Sequence, residues 1–437
     1  MTARRLPATS PDDAIFFWLV LLVALTGVAT GATHFAGAPH RNLDAYDQAA
    51  RSLGAQLAGQ AATVGAVLVA VRVLVRGGAR PVGDILPLLL LLGAVGVPAV
   101  QELARPGSDP TWLVSAAIAM LVLVAVWTLS PSRRWWGLFG AVLLLAPALS
   151  LVYGLVRGGP AFYPDVAGGT GTSEKALIGH DLLAGVFGHS NTLGIYAALA
   201  IPFVARIRPL RWAWLGTAVG GGALVWSSSR TALIATGVGL VFVVLPHVLP
   251  RRPGRGWRAT WAVATLVVAV GVPLGSWPVT AFSGRAGIWA ASLRAAEPHA
   301  LTGLGREWFA ETAGNRTGLT DQAASAHNLV LQWLVTGGVL ALVTGLLLLV
   351  LLVRRASRAP DLTPTWFVVV LLAIGTLESP MVESPRQELF LPVVVGMAVV
   401  LRACTAVAGR RTAAAGPAPG VARPVASAGT RRKGVGP

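Results

Sequence analysis

Residues 327–353 read HNLVLQWLVTGGVLALVTGLLLLVLLV. No charged residue occurs from Asn328 to Val353. A run so long and apolar satisfies its backbone in lipid only as a helix. It starts at a His-Asn pair, directly after a long polar segment that carries several arginines. The side of the membrane on which that pair lies decides how the chain is read, and the other apolar runs must settle it.

The chain has 437 residues, 54% of them hydrophobic and 12% charged. That is too little charge to clothe a soluble core, so the fold class is an all-α polytopic membrane protein. About twelve transmembrane helices are expected: Ala14–Gly31, Leu57–Val75, Ile85–Val100, Thr111–Leu129, Trp135–Val156, Leu182–Val204, Trp212–Trp226, Thr231–Leu249, Thr260–Leu274, Asn328–Val353, Pro364–Leu377 and Phe390–Cys404. The seventh and eleventh fall short of the ~20 residues that span the hydrocarbon. The first run follows Arg4 and Arg5 but leads into further spans, which marks it as a retained helix rather than a cleaved signal. A single cysteine, Cys404, excludes a disulfide framework and a cysteine-based metal site.

The net charge of +17 suggests nucleic acid at first sight, but in a membrane protein basic residues report orientation. Alternating the spans sorts the connections into two sets. One set holds 24 of the 35 Lys and Arg and 4 of the 18 Asp and Glu, a net +20; the other holds 11 and 14, a net −3. The positive-inside rule puts the first set, with both termini, in the cytoplasm, and His327 and Asn328 outside. The layout is then a cytoplasmic N-terminus (1–13), transmembrane helices 1–9 (14–274), a large extracytoplasmic loop with a short amphipathic helix (275–327), transmembrane helices 10–12 (328–404) and a disordered basic cytoplasmic tail (405–437).

Four islands on the outer side do not read as lipid-facing helix. GVFGHSNTLG, from Gly185, places His189, Ser190 and Asn191 where they need a cavity or a neighbouring helix. WSSSRTALIA, from Trp226, puts Arg230 at the start of an apolar helix, against the helix dipole, which an anion to be bound would explain. SGRAGIWAASLRAA, from Ser283, spaces Ile288, Trp289 and Leu293 on one helical face behind Arg285, as in a helix lying on the membrane surface. PHALTGLG then breaks, with Gly303 and Gly305 allowing tight geometry. The fourth island is His327–Asn328 itself, with Gln332 one helical turn beyond Asn328. Two fixed positive charges, an imidazole and several amides on one face suit group transfer from a phosphorylated lipid to an alcohol. The loop carboxylates Glu297, Glu307, Glu311 and Asp321 show no paired spacing for a metal cage and read as loop surface, as do His180 and His299.

The order GHSNTLG, SSSRTAL, SGRAGIW, GLG and HNLVLQWLVTGGVLAL resembles the O-antigen ligase/O-antigen polymerase superfamily of bacterial membrane glycosyltransferases, most strongly from Arg230 to Leu342. The resemblance implies a GT-C-like, metal-independent, inverting enzyme of the inner membrane, without a cofactor. Such an enzyme moves a glycan from an undecaprenyl-diphosphate carrier to an acceptor hydroxyl on a glycan, lipid or protein. Its partners are that donor, the acceptor and membrane lipid, with no nucleic acid. Carried onto this chain, Arg230 and Arg285 hold the diphosphate, His327 activates or orients the acceptor hydroxyl, and Asn328, Gln332, Asn191 and His189 are supporting substrate contacts. Two other readings compete. A lipid-linked glycan flippase should show internal repeats, which are not found. A peptidoglycan polymerase of the shape–elongation–division type should show a catalytic Asp on the large loop, which is not identifiable.

Overall fold

The computed structural model describes residues 11–31, 53–76, 84–103, 105, 111–129, 131, 135–158, 161–163, 175–179, 181–249, 256–306, 308–309, 325–381 and 387–404. The helices are α1 (Pro11–Gly31), α2 (Leu53–Arg76), α3 (Leu86–Leu103), α4 (Thr111–Leu129), α5 (Trp135–Arg157), α6 (Ser190–Val204), α7 (Leu210–Ser227), α8 (Arg230–Val248), α9 (Gly256–Gly271), α10 (Arg285–Ala296), α11 (Leu329–Arg358), α12 (Thr363–Leu377) and α13 (Phe390–Cys404). Eight of them are long and apolar enough to cross a membrane, and α6, α12 and α13 are shorter apolar helices. α7 has the length but carries Arg211 and three consecutive glycines, Gly220–Gly222, which dilute its apolar character.

The expected sixth span, Leu182–Val204, is corrected by the structure. Its first part is not helix: Leu182–Leu183 (β2) pairs antiparallel with Phe162–Tyr163 (β1), and helix begins only at Ser190. Gly185, at φ +61, takes the chain past Ser150 of α5, whose Oγ accepts from the Val186 N–H at 3.2 Å. The glycine suits that left-handed turn.

Close contacts fix helix direction. A Cβ on Gly239 of α8 would lie 2.6 Å from Val370 of α12, and Phe203 of α6 meets Phe367 of α12 with ring centroids 5.2 Å apart. Gly194 of α6 faces Ser227 and Ser229 just before α8. So α6 and α8 run together and α12 runs against them, which brings the starts of α6 and α8 and the end of α12 to one end of the bundle. The other end gathers basic residues. Arg258 of α9 donates to the carbonyls of Pro360 and Asp361 between α11 and α12, Arg206 lies 3.8 Å from Asp361, and Arg355 pairs with Asp84.

The decisive departure lies in α11. Rather than one span from Asn328 to Val353, it breaks at Gly338 (φ 63, ψ −163) into residues 329–337 and 339–358. The first half packs back against the second, where a Cβ on Gly345 would lie only 2.2 Å from the Trp333 ring. The backbone groups freed by the break are met by the loop after α10: Leu304 N–H donates to Val335 O at 2.6 Å, and Val339 N–H donates to Ala300 O at 2.7 Å. Left unmet in an apolar setting, each would cost roughly 1–3 kcal/mol. The same loop is tied to α3 and α4, where Arg306 N–H donates to Glu102 at 2.7 Å and the Arg306 guanidinium lies 3.7 Å over the Trp112 ring. The loop and the short first half of α11 thereby lie across the end of the bundle where α6 and α8 start.

Candidate active site

The starts of α6, α8, α10 and α11 lie at this end, and each is built by its local sequence. His189 caps α6, its Nδ1 accepting from the Asn191 N–H at 2.9 Å. Ser229 caps α8. The three serines before Arg230 are engaged with backbone: Ser227 Oγ donates to Leu224 O, Ser228 Oγ accepts from Leu177 N–H, and Ser229 Oγ accepts from Ala232 N–H. They fold a tight turn with Ser228 in the left-handed region (φ 53) and leave Arg230 exposed as the first residue of α8. Among the described residues Arg230 has no ion-pair partner.

α10 follows three left-handed residues in a row, Phe282, Ser283 and Gly284 (φ 54, 61 and 86). Two of these are not glycine, a costly conformation that persists only where the surroundings hold it. Here the Phe282 ring is held between Trp277 and Trp289, with centroids 5.1 and 5.2 Å away. A helix is present where the sequence placed one, with Ile288 and Trp289 buried and Leu293 half-buried. Its strained start aims Arg285 inward.

There Arg285 Nη2 is paired with Glu378 Oε1, Nη1 donates to Phe282 O at 3.3 Å, and the buried Nε has no partner among the described residues. The second oxygen of the same carboxylate, Oε2, lies 2.9 Å from His327 Nδ1. The three side chains are 17%, 10% and 23% exposed, so the cluster is recessed at the end of the bundle with a small part of each side chain still accessible. His327 is itself left-handed (φ 47). Glu378 stands just beyond α12, its N–H donating to Ile374 O at 2.9 Å. Burial alone would raise its pKa, but the hydrogen bond from His327 and the charges of His327 and Arg285 outweigh burial and hold the carboxyl below its usual value.

Asn328, expected to touch substrate, does something else. It is 0% exposed, and its side chain is committed to the fold. Oδ1 accepts from the Val330 and Leu331 N–H groups, and Nδ2 donates to Ala269 O at 2.9 Å and Thr376 O at 3.1 Å. Its own N–H donates to Ser379 Oγ. Asn328 thus caps α11 and ties it to α9 and α12 beside the recess. Gln332 is also turned toward backbone, accepting from Ala326 N–H at 2.8 Å. His189 and Asn191 are half-buried at the start of α6, where Gly188 N–H donates to Glu388 Oε1 at 2.7 Å.

The structure thus brings Arg285 and His327 together on Glu378. Arg230 shares their end of the bundle: Gly239 is level with Val370, and from those two positions nine residues of α8 and eight of α12, about 12–14 Å of rise each, lead to Arg230 and Glu378. Glu378 itself was not singled out in the sequence. The signal was there, a lone carboxylate in TLESP directly after an apolar run, but it looked like any other loop acid. Glu297 and His299 are exposed, while Glu307, Glu311, Asp321 and His180 lie outside the described residues. Among the described residues no cluster of three or more His, Cys, Asp or Glu could hold a metal ion.

Residues 215–346 match the family model described as O-antigen ligase. That stretch is similar to the O-antigen ligase family. The matched stretch runs from α7 through the break in α11 and contains Arg230, Arg285 and His327, with α6 and Glu378 outside it. No curated protein matches the chain. With eight helices long and apolar enough to cross a membrane, the chain has the make-up of a multi-pass membrane protein, and its stretch 215–346 is similar to a membrane ligase.

Proposed function

We propose that the protein is an inverting, GT-C-type glycosyltransferase that moves a glycan from an undecaprenyl-diphosphate carrier to an acceptor hydroxyl, working on the outer face of the inner membrane. The observation that carries this reading is the meeting of a guanidinium and an imidazole in one recess, on the end of the bundle opposite the arginine-rich one. The positive-inside rule assigns that arginine-rich end to the cytoplasm. Both termini then lie in the cytoplasm, and the recess faces out.

In this reading Arg285 holds the diphosphate by the part of its guanidinium that stays exposed, and exposed Arg230 approaches it from the neighbouring helix start. Planar guanidinium forks suit phosphate oxygens and meet the charge that builds as the leaving group departs. Nε2 of His327 takes the acceptor hydroxyl proton as the acceptor oxygen bonds to the anomeric carbon. The carbon–oxygen bond to the diphosphate breaks from the opposite face, and its electron pair leaves with undecaprenyl diphosphate. The anomeric centre inverts, and the proton passes from His327 to water.

The test uses the purified full chain in lipid with undecaprenyl-diphosphate-linked repeat units, with and without an added acceptor. Undecaprenyl diphosphate release is expected to fall at least about 10²-fold in Arg285→Ala and His327→Ala, the scale on which single acid–base or charge-stabilising groups act. Full activity in the two folded variants would sink the reading. Chain growth without added acceptor marks a polymerase, and single capture by the acceptor marks a ligase.

A further inference from the structure

Arg285 and His327 come from segments far apart in sequence, yet both terminate on one carboxylate. We infer that Glu378 is the positioning residue of this site, anchoring the guanidinium through Oε1 and the imidazole through Oε2 so that each presents its remaining polar edge to a substrate. The inference rests on the glycosyl-transfer reading above and deepens it.

Two observations beyond the ion pair itself support it. First, the backbone around the anchor is locked on both sides. Asn328, next to His327, is bonded to Thr376 O and Ser379 Oγ, the positions flanking Glu378, and Ser379 Oγ donates back to Asn328 O at 3.1 Å. The start of α11 and the end of α12 are therefore stitched together at the residues that bracket the His327–Glu378 contact. Groups held this way keep their geometry without help from substrate. Second, the chemistry of the contact fixes which nitrogen is free. A neutral imidazole has one N–H, and a carboxylate at Nδ1 draws it there, leaving the Nε2 lone pair for the acceptor proton. When that proton arrives, the imidazolium forms 2.9 Å from Oε2 and is stabilised. Glu378 stays ionised throughout and exchanges no proton, and it also neutralises the part-buried guanidinium of Arg285, which would otherwise be costly.

The charges around His327 are accounted for element by element. Glu378 and Arg285 touch or flank it directly. Among the described residues, the other charged groups or histidines at this end are Arg230 on α8, His189 and Glu388 beside the start of α6, Lys175 and Asp181 on the segment before it, Arg294, Glu297 and His299 at the far end of α10, and Arg306 with Glu102 and Arg105 where the loop meets α3. α9 contributes only Arg258, at the opposite end. Glu378 is thus the one carboxylate within hydrogen-bond distance of the His327 ring among the described residues.

The experiment compares wild type, His327→Ala, Glu378→Gln and Glu378→Asp in the release assay above. Glu378→Gln keeps the shape and removes the charge. It is expected to lower kcat by about 10²–10⁴-fold. Glu378→Asp keeps the charge on a shorter arm, so it should rescue part of that loss, with kcat falling less than in Glu378→Gln. A Glu378→Gln enzyme with wild-type rate, or a Glu378→Asp enzyme as slow as Glu378→Gln, overturns the inference. Should Glu378→Gln not give a monodisperse protein, Glu378→Asp decides it, and a wild-type rate there overturns the inference too. An inactive His327→Ala beside a wild-type Glu378→Gln defeats the role of Glu378 alone. An active His327→Ala defeats the glycosyl-transfer reading and this inference with it.

Discussion

Arg258 and Arg285 are the same residue at opposite ends of the bundle, and they are used differently. Arg258 sits at the start of α9, and its guanidinium donates to the carbonyls of Pro360 and Asp361 where α11 turns into α12. It acts as a clasp between helices. Arg285 also sits at a helix start, but it faces a buried carboxylate that it shares with an imidazole, and its Nε is left without a partner among the described residues. Arg258 is satisfied by carbonyls alone, whereas Arg285 is held by a carboxylate and the Phe282 carbonyl and keeps one buried donor without a partner among the described residues. The difference between the two ends lies less in charge than in what remains unsatisfied.

The sharpest way to break that comparison is to delete both. Arg285→Ala is expected to remove nearly all undecaprenyl diphosphate release while the protein still folds, whereas Arg258→Ala should leave the rate within about threefold. If both lose activity alike in the release assay, the distinction is false. The Arg258 variant should instead lose about 1–3 kcal/mol of stability, the usual worth of hydrogen bonds to a charged group, read as a lower melting temperature.

The next largest effect concerns the break in α11. Gly338→Val places a side chain on Leu301's carbonyl at a backbone angle of φ 63 that β-branched residues avoid. We expect a loss of several kcal/mol, seen as poor yield or a markedly lowered melting temperature, because loop and helix lose the bonds that satisfy the break. Wild-type melting would mean the loop does not dock there.

Arg230→Lys sharpens the comparison from another side. It keeps the charge at the start of α8 and removes the planar fork, so a fall in rate of about tenfold or more with unchanged melting is expected. An unchanged rate would remove Arg230 from the donor site.

The smallest effect is on pH. Glu378 has a folded pKa below its unfolded value near ~4.3, so its stabilising contribution is complete above that value and lost as pH falls through the folded one. Melting temperature should hold from neutral pH to about 5 and drop below about 4, with a shallower drop in Glu378→Gln. Equal drops in both proteins would locate the acid sensitivity elsewhere.

Apolar runs and the split of charges carried most of the helix order, because lipid leaves the backbone almost no alternative to helix. Thr111–Leu129 coincides with α4 residue for residue, and the short helix after Arg285 is where its periodicity placed it. The same reasoning misread Leu182–Gly188 and the start of α11. Hydropathy registers how apolar a segment is, and both stretches are apolar. It does not register a loop elsewhere in the chain supplying hydrogen bonds to an opened turn, which is what permits Gly338 to break the helix. Asn328 was misjudged for a similar reason. An amide beside a candidate base looks like a substrate contact until the carbonyls of Ala269 and Thr376 are seen to occupy it.

The amino-acid order by itself determined a basic and a near-neutral set of connections, the apolar helices between them, and a histidine and two arginines on one side, since each depends only on local composition and strict alternation. The tertiary structure alone decided that Arg285 and His327 share Glu378, a residue 93 and 51 positions away from them. Burial of an ion pair is a property of three-dimensional neighbours, and no local pattern shows which of several loop carboxylates the packing of α10, α11 and α12 will enclose.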